Sequence, residues 1–444
     1  MWATIKTRDN KMLNKTFLAT AISLAFCSSS VFAQTQVIHA GTLLAKPGDK
    51  PLTKQTVVIT DGKIVEVKSG FIDAKTIDKD ASLVDLSDDF VMPGLMDMHV
   101  HLQGELGPNN DSQTLRYSDS DITLLSASYA KKTLMAGFTT VRDLGGSPEQ
   151  SYALRDSIAR GWIDGPRVVA AGSSVAVTGG HGDVDGMNPD LLKFYTPETI
   201  CDGPYECRKA TRHAIKYGAD VIKITSTGGV LSDTNTGTGQ QMTDDELKEV
   251  VDTAHSLGRK VASHAHAAGG INAALRAGVD SIEHGSYANK ESIKLFKKTG
   301  AYLVPTLMAG DTVVNMAKTS DFMSDAIKEK AIRVGADMIA NFKRSHKAGV
   351  KIAYGTDSGV SQHGMNGKEA VLMFNAGMKP SEIIKSATVH AADLIGMSDS
   401  LGTIEVGKHA DIIATDVNPL KDINALMDVD FVMKSGKVVK HDKS

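Results

Sequence analysis

A repeated alternation of short apolar runs and helical patterns fills the middle of the chain and restricts its fold most. Eight runs are predicted as strands: residues 91–100, 139–143, 167–171, 220–224, 260–264, 280–284, 302–305 and 351–355. Predicted helices separate or follow them: residues 122–136, 153–160, 206–217, 244–256, 270–277, 290–298, 324–348, 365–378 and 381–395. This alternation predicts the α/β class and a (β/α)8 TIM barrel over residues 91–401, because buried parallel strands need covering helices.

Both ends of the chain carry short β-rich segments instead. Three lie near the N-terminus, at residues 36–39, 56–60 and 63–67, and two near the C-terminus, at residues 409–415 and 429–439. Gly62 and Gly436 each follow a residue that favours a tight hairpin turn. These segments predict a small β-sandwich domain formed by residues 34–90 together with residues 402–444.

Residues 1–33 have the pattern of a secretory signal peptide. A basic stretch beginning at Met12 precedes an apolar run at residues 17–26, and a small-residue stretch ends at Ala33. A buried or membrane-spanning helix is disfavoured, because this run is too short to cross a bilayer. We therefore predict a periplasmic or secreted protein without membrane attachment after cleavage. Whether translation starts at Met1 or Met12 stays open.

The predicted mature chain keeps two cysteines, Cys201 and Cys207, since Cys27 lies in the leader. An oxidising compartment permits a disulfide, and Gly203 and Pro204 between the two cysteines suit a tight loop. A Cys201–Cys207 bridge is therefore favoured over two free thiols.

Polar residues that can bind metals end several of the predicted strands. In a TIM barrel the chemistry lies at the C-terminal ends of the strands. His99 and His101 end the first strand, and residues i and i+2 of a strand point to one face. Four further strands end at Lys223, His264, His284 and Asp357. Each residue alone has an ordinary structural explanation, but together they predict a metal centre.

Lys223 is the most informative of these residues. It shares a strand face with Val221 and Thr225, whereas Ile222 and Ile224 form the face that suits the helix layer. Lys223 therefore points into the barrel, where burial favours the neutral amine. A neutral amine reacts with CO2 to form a carbamate, whose two oxygens can bridge two cations. The alternative, a salt-bridged lysine, is less favoured beside several histidines.

With these motifs in order, the chain resembles the amidohydrolase superfamily, specifically its binuclear members with a carboxylated lysine. The resemblance covers the whole mature chain and is closest to the prolidase-like, Xaa-Arg dipeptidase-like and ochratoxin-amidase-like group. The matching segments are residues 91–101, 137–143, 178–182, 221–224, 227–232, 263–266, 281–285, 355–359 and 363–366. One departure is His390, where the group leads us to expect Asn.

The resemblance implies two divalent metal ions, with zinc favoured, and a role for each residue of the constellation. His99, His101 and Asp357 hold the first ion, His264 and His284 the second, and carboxylated Lys223 bridges both. A metal-bridging hydroxide is the nucleophile, and Asp357 transfers its proton to the leaving amine. His181 is implied as a catalytic and substrate-binding residue that contacts the substrate carbonyl or carboxylate. His266 and His363 complete the predicted substrate-binding set.

The function implied by this resemblance is a secreted metal-dependent amidohydrolase that cleaves an amide or peptide bond next to a carboxylate. Its substrate is a dipeptide or another small molecule, such as an N-acyl amino acid. Residues 233–241 contain neither an aromatic nor a cationic residue to hold that carboxylate, which weakens a strict dipeptidase interpretation. The formal net charge of −3 gives no electrostatic footprint for nucleic acid, and homo-oligomer formation stays open.

Three alternatives remain at this point. A lactonase or organophosphate hydrolase could use the same metal centre, and only an assay separates these activities. An imidazolonepropionase-like cyclic amide hydrolase with one metal is disfavoured by Lys223, because such relatives usually lack it. A secreted binding protein on an inactive barrel is disfavoured because no expected ligand is missing.

Overall fold

The structure is a computed structural model that describes residues 35–109, 113, 115–232, 237–319, 321 and 323–442. The predicted signal peptide lies outside this part of the chain. The strands are β1 (Thr35–Leu43), β2 (Leu52–Thr60), β3 (Lys63–Ser69), β4 (Ser82–Pro93), β5 (Leu95–Val100), β6 (Phe138–Asp143), β7 (Arg167–Ala170), β8 (Val221–Thr225), β9 (Lys260–Ala265), β10 (Ser281–His284), β11 (Tyr302–Val304), β12 (Ile412–Thr415), β13 (Phe431–Lys434) and β14 (Lys437–His441).

The helices fall mainly between the parallel strands. They are α1 (Ala74–Ile77), α2 (Asp119–Met135), α3 (Pro148–Ala159), α4 (Pro189–Tyr195), α5 (Pro204–Tyr217), α6 (Asp244–Ser256), α7 (Ala268–Ala277), α8 (Lys290–Thr299), α9 (Leu307–Thr319), α10 (Asp325–Lys347), α11 (Lys368–Asn375), α12 (Pro380–Ser386) and α13 (Val389–Leu394), with a 3-10 helix at Ile423–Met427. Among the helices described, none combines the length and apolar character needed to cross a bilayer.

The two chain ends meet in one seven-stranded sheet of order β14-β13-β12-β4-β1-β2-β3. Strand β4 joins the ends, because it pairs parallel with β1 and antiparallel with β12. The sheet also brings the start of β3 back to the C-terminal part, where Ile64 N donates to Lys408 O at 2.9 Å. The predicted sandwich is therefore observed as one continuous mixed sheet, since the twelve-residue β4 links both sets of strands.

The predicted first barrel strand is divided at Gly94. Residues up to Pro93 belong to β4 of the mixed sheet, and only Leu95–Val100 continues as β5. Gly94 N donates to Asp411 O at 2.9 Å, and a Cβ on Gly94 would lie 2.2 Å from Oγ1 of Thr139. Only glycine fits this crossing without rearrangement, so the structural boundary lies at Gly94 rather than at residue 91.

The remaining strands form two parallel sheets, β5-β6-β7 and β8-β9-β10-β11. Residues 351–358 carry isolated bridges instead of the predicted eighth strand. Backbone hydrogen bonds nevertheless connect the two sheets and residues 351–358 into one closed ring of segments, called the circuit below. These bonds run from Val175 N to Lys223 O (2.8 Å), from Leu303 N to Lys351 O (2.9 Å) and from Met98 N to Tyr354 O (2.8 Å). The C-terminal ends of all these segments therefore lie on one side of the circuit.

Most of the predicted helices are observed, but the short helices α1 and α4 were not predicted. A capping box formed by Thr243 and Glu246 opens α6. Helix α9 was not predicted, and the long helix expected over residues 381–395 is interrupted at Thr388, whose φ of −134° is not helical. Cys201 and Cys207 form a disulfide with Cα atoms 5.0 Å apart, which ties the start of α5 to the preceding loop.

Candidate metal centre

Five of the six predicted strand-end residues line one cavity, and His101 lies beside it next to His99. Strands β5, β8, β9 and β10 contribute His99, Lys223, His264 and His284, and the segment after Tyr354 contributes Asp357. These side chains come from four strands and one irregular segment that share the C-terminal side of the circuit. The fold therefore concentrates imidazole, amine and carboxylate groups in one enclosed place.

Three of the predicted ligands converge closely. Nε2 of His99 and Nε2 of His101 lie 3.3 Å apart. Oδ1 of Asp357 lies 3.5 Å from the first nitrogen and 3.2 Å from the second, yet this buried oxygen has no hydrogen-bond partner of acceptable geometry. Ligand atoms of His99, His284 and Asp357 also lie within 4.8 Å of one another. Such a buried, unsatisfied oxygen among ring nitrogens fits a cation site.

The Nδ1 atoms of His99 and His101 already have hydrogen-bond partners. Nδ1 of His99 lies 2.9 Å from a carboxylate oxygen of Glu283, and Nδ1 of His101 lies 3.2 Å from the carbonyl oxygen of Gly145. Both partners only accept, so we assign the ring protons to Nδ1. The Nε2 lone pairs then face each other and the Asp357 carboxylate. A bound cation relieves this repulsion.

The electrostatics around the Asp357 carboxylate favour positive charge. Burial lowers the pKa of His101, but the neighbouring Asp357 carboxylate outweighs burial and raises it. Burial alone raises the pKa of Asp357, yet His99, His101 and His284 hold that pKa well below its ordinary value. Asp357 is therefore ionised in this site.

His264 and His284 form the second half of the predicted ligand set. Their ring centroids are 4.6 Å apart, and burial holds the pKa of each well below the ordinary value, which leaves neutral imidazoles. Nδ1 of His284 pairs with Oγ1 of Thr306 at 2.7 Å. A neutral imidazole whose other ring nitrogen is hydrogen-bonded is the form that binds metals.

Backbone strain is concentrated at this site. His284, Thr306 and Asp357 adopt φ angles of 68°, 48° and 59°, although none is glycine. Each such conformation costs on the order of 1–3 kcal/mol and persists where the surrounding structure enforces it. Two of these residues, His284 and Asp357, are predicted ligands that line the cavity, and Thr306 is the hydrogen-bond partner of His284.

Lys223 faces the same cavity and is 5% exposed. Burial lowers the pKa of its ammonium group, and Arg142 adds to this effect, while Glu283 and Asp357 oppose it. A lysine held toward its neutral form can react with CO2. The donor set therefore fits a metal site, and Lys223 adds a further nitrogen beside it.

The three residues predicted to bind substrate have different positions. His181 and His266 line the cavity, and the His181 ring lies 4.2 Å from that of His264. Nδ1 of His266 pairs with Ser286 Oγ at 2.7 Å. His363 is outside the described cavity lining, since its Nε2 lies 3.0 Å from Gly104 O and its ring packs on a tyrosine.

A buried ion pair lies behind His99 and was not predicted from the sequence. The Arg142 guanidinium donates to Met98 O at 2.7 Å, to Ser281 Oγ at 3.0 Å and to Glu283 at 2.9 Å. Burial raises the pKa of Glu283, but Arg142 and His99 lower it to about 2. The available signal was a charged residue inside each of two apolar strands, β6 and β10.

The fold and the site together define a hydrolase-type centre at the C-terminal ends of parallel strands. The chain belongs to the amidohydrolase family, whose sequence pattern matches residues 90–439. It is 33% identical over 435 residues to the ochratoxinase of Aspergillus niger, an alignment that covers 92% of this chain and 87% of that protein.

Solved structures agree with this assignment. A Xaa-Pro dipeptidase with methionine bound in its active site is 40% identical, with a TM-score of 0.87, and the alignment covers 92% of this chain and all of that one (100%). A prolidase complexed with N-methylphosphonate-L-proline is 30% identical, with a TM-score of 0.83 and coverage of 92% and 100%. The predicted superfamily and its prolidase and ochratoxin-amidase group are thus confirmed.

Proposed function

We propose that this protein is a secreted, metal-dependent amidohydrolase that cleaves an amide or peptide bond next to a carboxylate, as a dipeptidase or an N-acyl-amino-acid amidase. In this proposal, the parallel strands together with residues 351–358 form a (β/α)8 barrel that lies beside the mixed sheet. The observation that carries it is the convergence of two imidazole nitrogens, of His99 and His101, on the unsatisfied Oδ1 of Asp357.

We assign two divalent cations to this donor set, and zinc is the favoured ion. His99, His101 and Asp357 would hold one cation and His264 and His284 the other, and Lys223 would supply an anionic ligand as a CO2-derived carbamate. When bound, such ions lower the pKa of a nucleophilic water and polarise the scissile carbonyl.

The chain's own groups move the proton and orient the substrate. Asp357 is ionised, so it accepts a proton at its carboxylate and returns it to the nitrogen of the leaving amine. Burial and the nearby Lys223 lower the pKa of His181, whose Nδ1 is paired with Ser232 Oγ at 2.6 Å. This pairing leaves Nε2 of the neutral ring for a polar group of the substrate.

Lys330 is the cation that we assign to the substrate carboxylate. Its ammonium group donates to Ser232 O at 2.6 Å, one residue from Leu231 of the cavity wall. Lys330 also lies one helical turn before Val334, which lines the cavity. A buried ammonium at this edge supplies the charge that residues 233–241 lack in the sequence.

The test uses the mature protein loaded with zinc and a substrate screen. The screen contains Xaa-Pro and Xaa-Arg dipeptides, N-acyl amino acids, lactones and a phosphotriester. We expect turnover of one amide class, its loss on chelation and its recovery on adding metal. Asp357→Asn should abolish turnover, whereas Asp80→Asn at an exposed position should not. Turnover of lactone or phosphotriester without any amide contradicts the proposal.

A further inference from the structure

The side of the cavity away from the strand ends is an apolar wall. Helices α9 and α10 build most of it with Val313, Val334 and Met338, and Val230 and Leu231 extend it from the loop after β8. Ala309, Gly310 and Gly335 fill the positions between these side chains. We call this set the apolar wall. It lines the same cavity as the imidazoles of His99, His264 and His284.

Two glycines set the shape of the apolar wall. A Cβ on Gly335 would lie 2.3 Å from Val314 Cγ2, so α9 and α10 pack too closely there for any larger residue. A Cβ on Gly310 would lie 3.0 Å from the sulfur of Met338. The helix pair is therefore closely packed at both glycines, next to the cavity that they line.

We propose that the apolar wall is the specificity subsite of this enzyme and takes a large aliphatic or thioether side chain next to the scissile amide. This inference rests on the proposed amide hydrolysis and names its substrate class. Val313, Val334 and Met338 are 7%, 1% and 5% exposed, so little of their apolar surface meets bulk water. Transfer of an aliphatic side chain from water to such a surface is favourable.

The same wall discriminates against a charged side chain. A guanidinium pressed against Val313, Val334 and Met338 loses its hydration without gaining an opposite charge from them. Lys223 adds no compensation, since its amine carries no negative charge and the proposed carbamate would be engaged by the metal ions. The inference therefore favours substrates with leucine, methionine or norleucine over substrates with arginine.

The first experiment compares substrate series that differ only in this side chain. Glycine, alanine, leucine, methionine and arginine are placed in turn on each side of the amide in dipeptides and in N-acetyl amino acids. In at least one series we expect kcat/KM for leucine and methionine to exceed that for alanine and for arginine by about tenfold or more. Equal values in every series, or a preference for arginine, overturn the inference while leaving amide hydrolysis intact.

Variants of the wall test its location. Val313→Asp should lower kcat/KM for the leucine substrate by about tenfold or more and raise the relative rate for arginine. Val313→Thr, which keeps the shape, guards against misfolding and should change the preference in the same direction. Ile332→Asp is the matched control, because Ile332 is 49% exposed on the same helix as Val334. An unchanged leucine-to-arginine ratio in both Val313 variants contradicts the assignment.

A steric variant gives independent information. Gly310→Ala pushes Met338 into the cavity, so the leucine-to-alanine ratio of kcat/KM should fall by about tenfold. Gly269→Ala, where the added Cβ meets only Gln240 at 3.6 Å, should leave the ratio unchanged. Binding is measured separately by calorimetry with free methionine and free arginine. Tighter methionine binding without amide turnover would reject the proposed activity but keep the subsite, whereas equal binding rejects the subsite.

Discussion

Nδ1 of His99 donates a hydrogen bond of 2.9 Å to the carboxylate of Glu283, and both side chains are almost completely buried. Arg142 binds the other oxygen of that carboxylate at 2.9 Å. The pair fixes the His99 ring with Nε2 toward the cavity. A carboxylate behind a metal-binding histidine also increases the basicity of the ligand.

Replacing Glu283 by glutamine should therefore weaken cation binding. The amide removes the negative charge behind His99 and leaves Arg142 without its ionic partner. We expect zinc affinity to fall by about 10–100-fold, measured by competition between the metal-free protein and a chromophoric chelator. Glu66→Gln, on the half-exposed strand β3, is the control. Unchanged affinity in Glu283→Gln would show that this carboxylate only stabilises the fold.

A double-mutant cycle separates these two roles. Arg142→Met leaves a buried Glu283 carboxylate uncompensated and should cost about 3–5 kcal/mol of unfolding free energy. Adding Glu283→Gln to Arg142→Met should recover part of that loss, because the buried charge is gone. Zinc affinity should stay low in the double variant. Recovery of affinity together with stability would contradict the positioning role.

Glu369 contacts the start of α9, and we expect it to make the stability of the folded protein depend on pH. Its carboxyl oxygens accept hydrogen bonds from the backbone N–H groups of Leu307 and Met308, where α9 begins. Burial nevertheless raises the pKa of Glu369 from 4.5 to about 8. Between these values the folded state holds a proton that the unfolded state has lost, so stability falls as pH rises.

Glu369→Gln should remove this contribution. Urea unfolding at about pH 5 and about pH 8 should show a smaller loss of free energy in the variant than in the wild type. Glu291→Gln on exposed α8 is the control and should follow the wild type. Parallel pH profiles of Glu369→Gln and the wild type would show that Glu369 is ionised in the folded protein.

The sequence predicted the parts of the site that come from short motifs. His99 and His101 are two residues apart on one strand, and Lys223 is marked by the apolar strand around it, so period-2 alternation was sufficient. The geometry after the strands was not predictable in this way. The left-handed backbone of His284 and Asp357 arises from long-range packing and leaves no local pattern.

Helix α9 and the division at Gly94 were missed for the same reason. Leu307–Thr319 is partly buried against α10, so its apolar pattern lacks a clear polar face. Gly94 lies inside the predicted strand 91–100, and its role depends on Thr139 and Asp411, which are distant in sequence. The one-sheet arrangement of the chain ends likewise depends on β4 pairing with strands from both termini.

Lys330→Met tests the assigned contact with the substrate carboxylate. If the Lys330 ammonium holds that carboxylate, KM for an N-acyl amino acid should rise by about tenfold or more, with a smaller change in kcat. The corresponding N-acyl amino acid amide has no carboxylate and should lose little. Lys328→Met, at a nearby position of the same helix, is the control. An equal loss with both substrates would indicate a structural role through Ser232.

Lys223→Ala tests the least ordinary residue of the centre. If a carbamate on Lys223 spans two cations, the variant loses a bridging anion, so metal analysis should find about one ion fewer per chain than in the wild type. Activity should fall by orders of magnitude, while the unfolding curve stays cooperative. Added acetate or propionate can occupy the vacated space, and we expect partial, saturable rescue of activity and of the second ion. The same acids should not rescue Asp357→Asn, because there the proton acceptor is missing. Lys260→Ala, at an exposed lysine at the start of β9, controls for the loss of an ammonium group. Two bound ions and near wild-type turnover in Lys223→Ala would disprove the carbamate bridge.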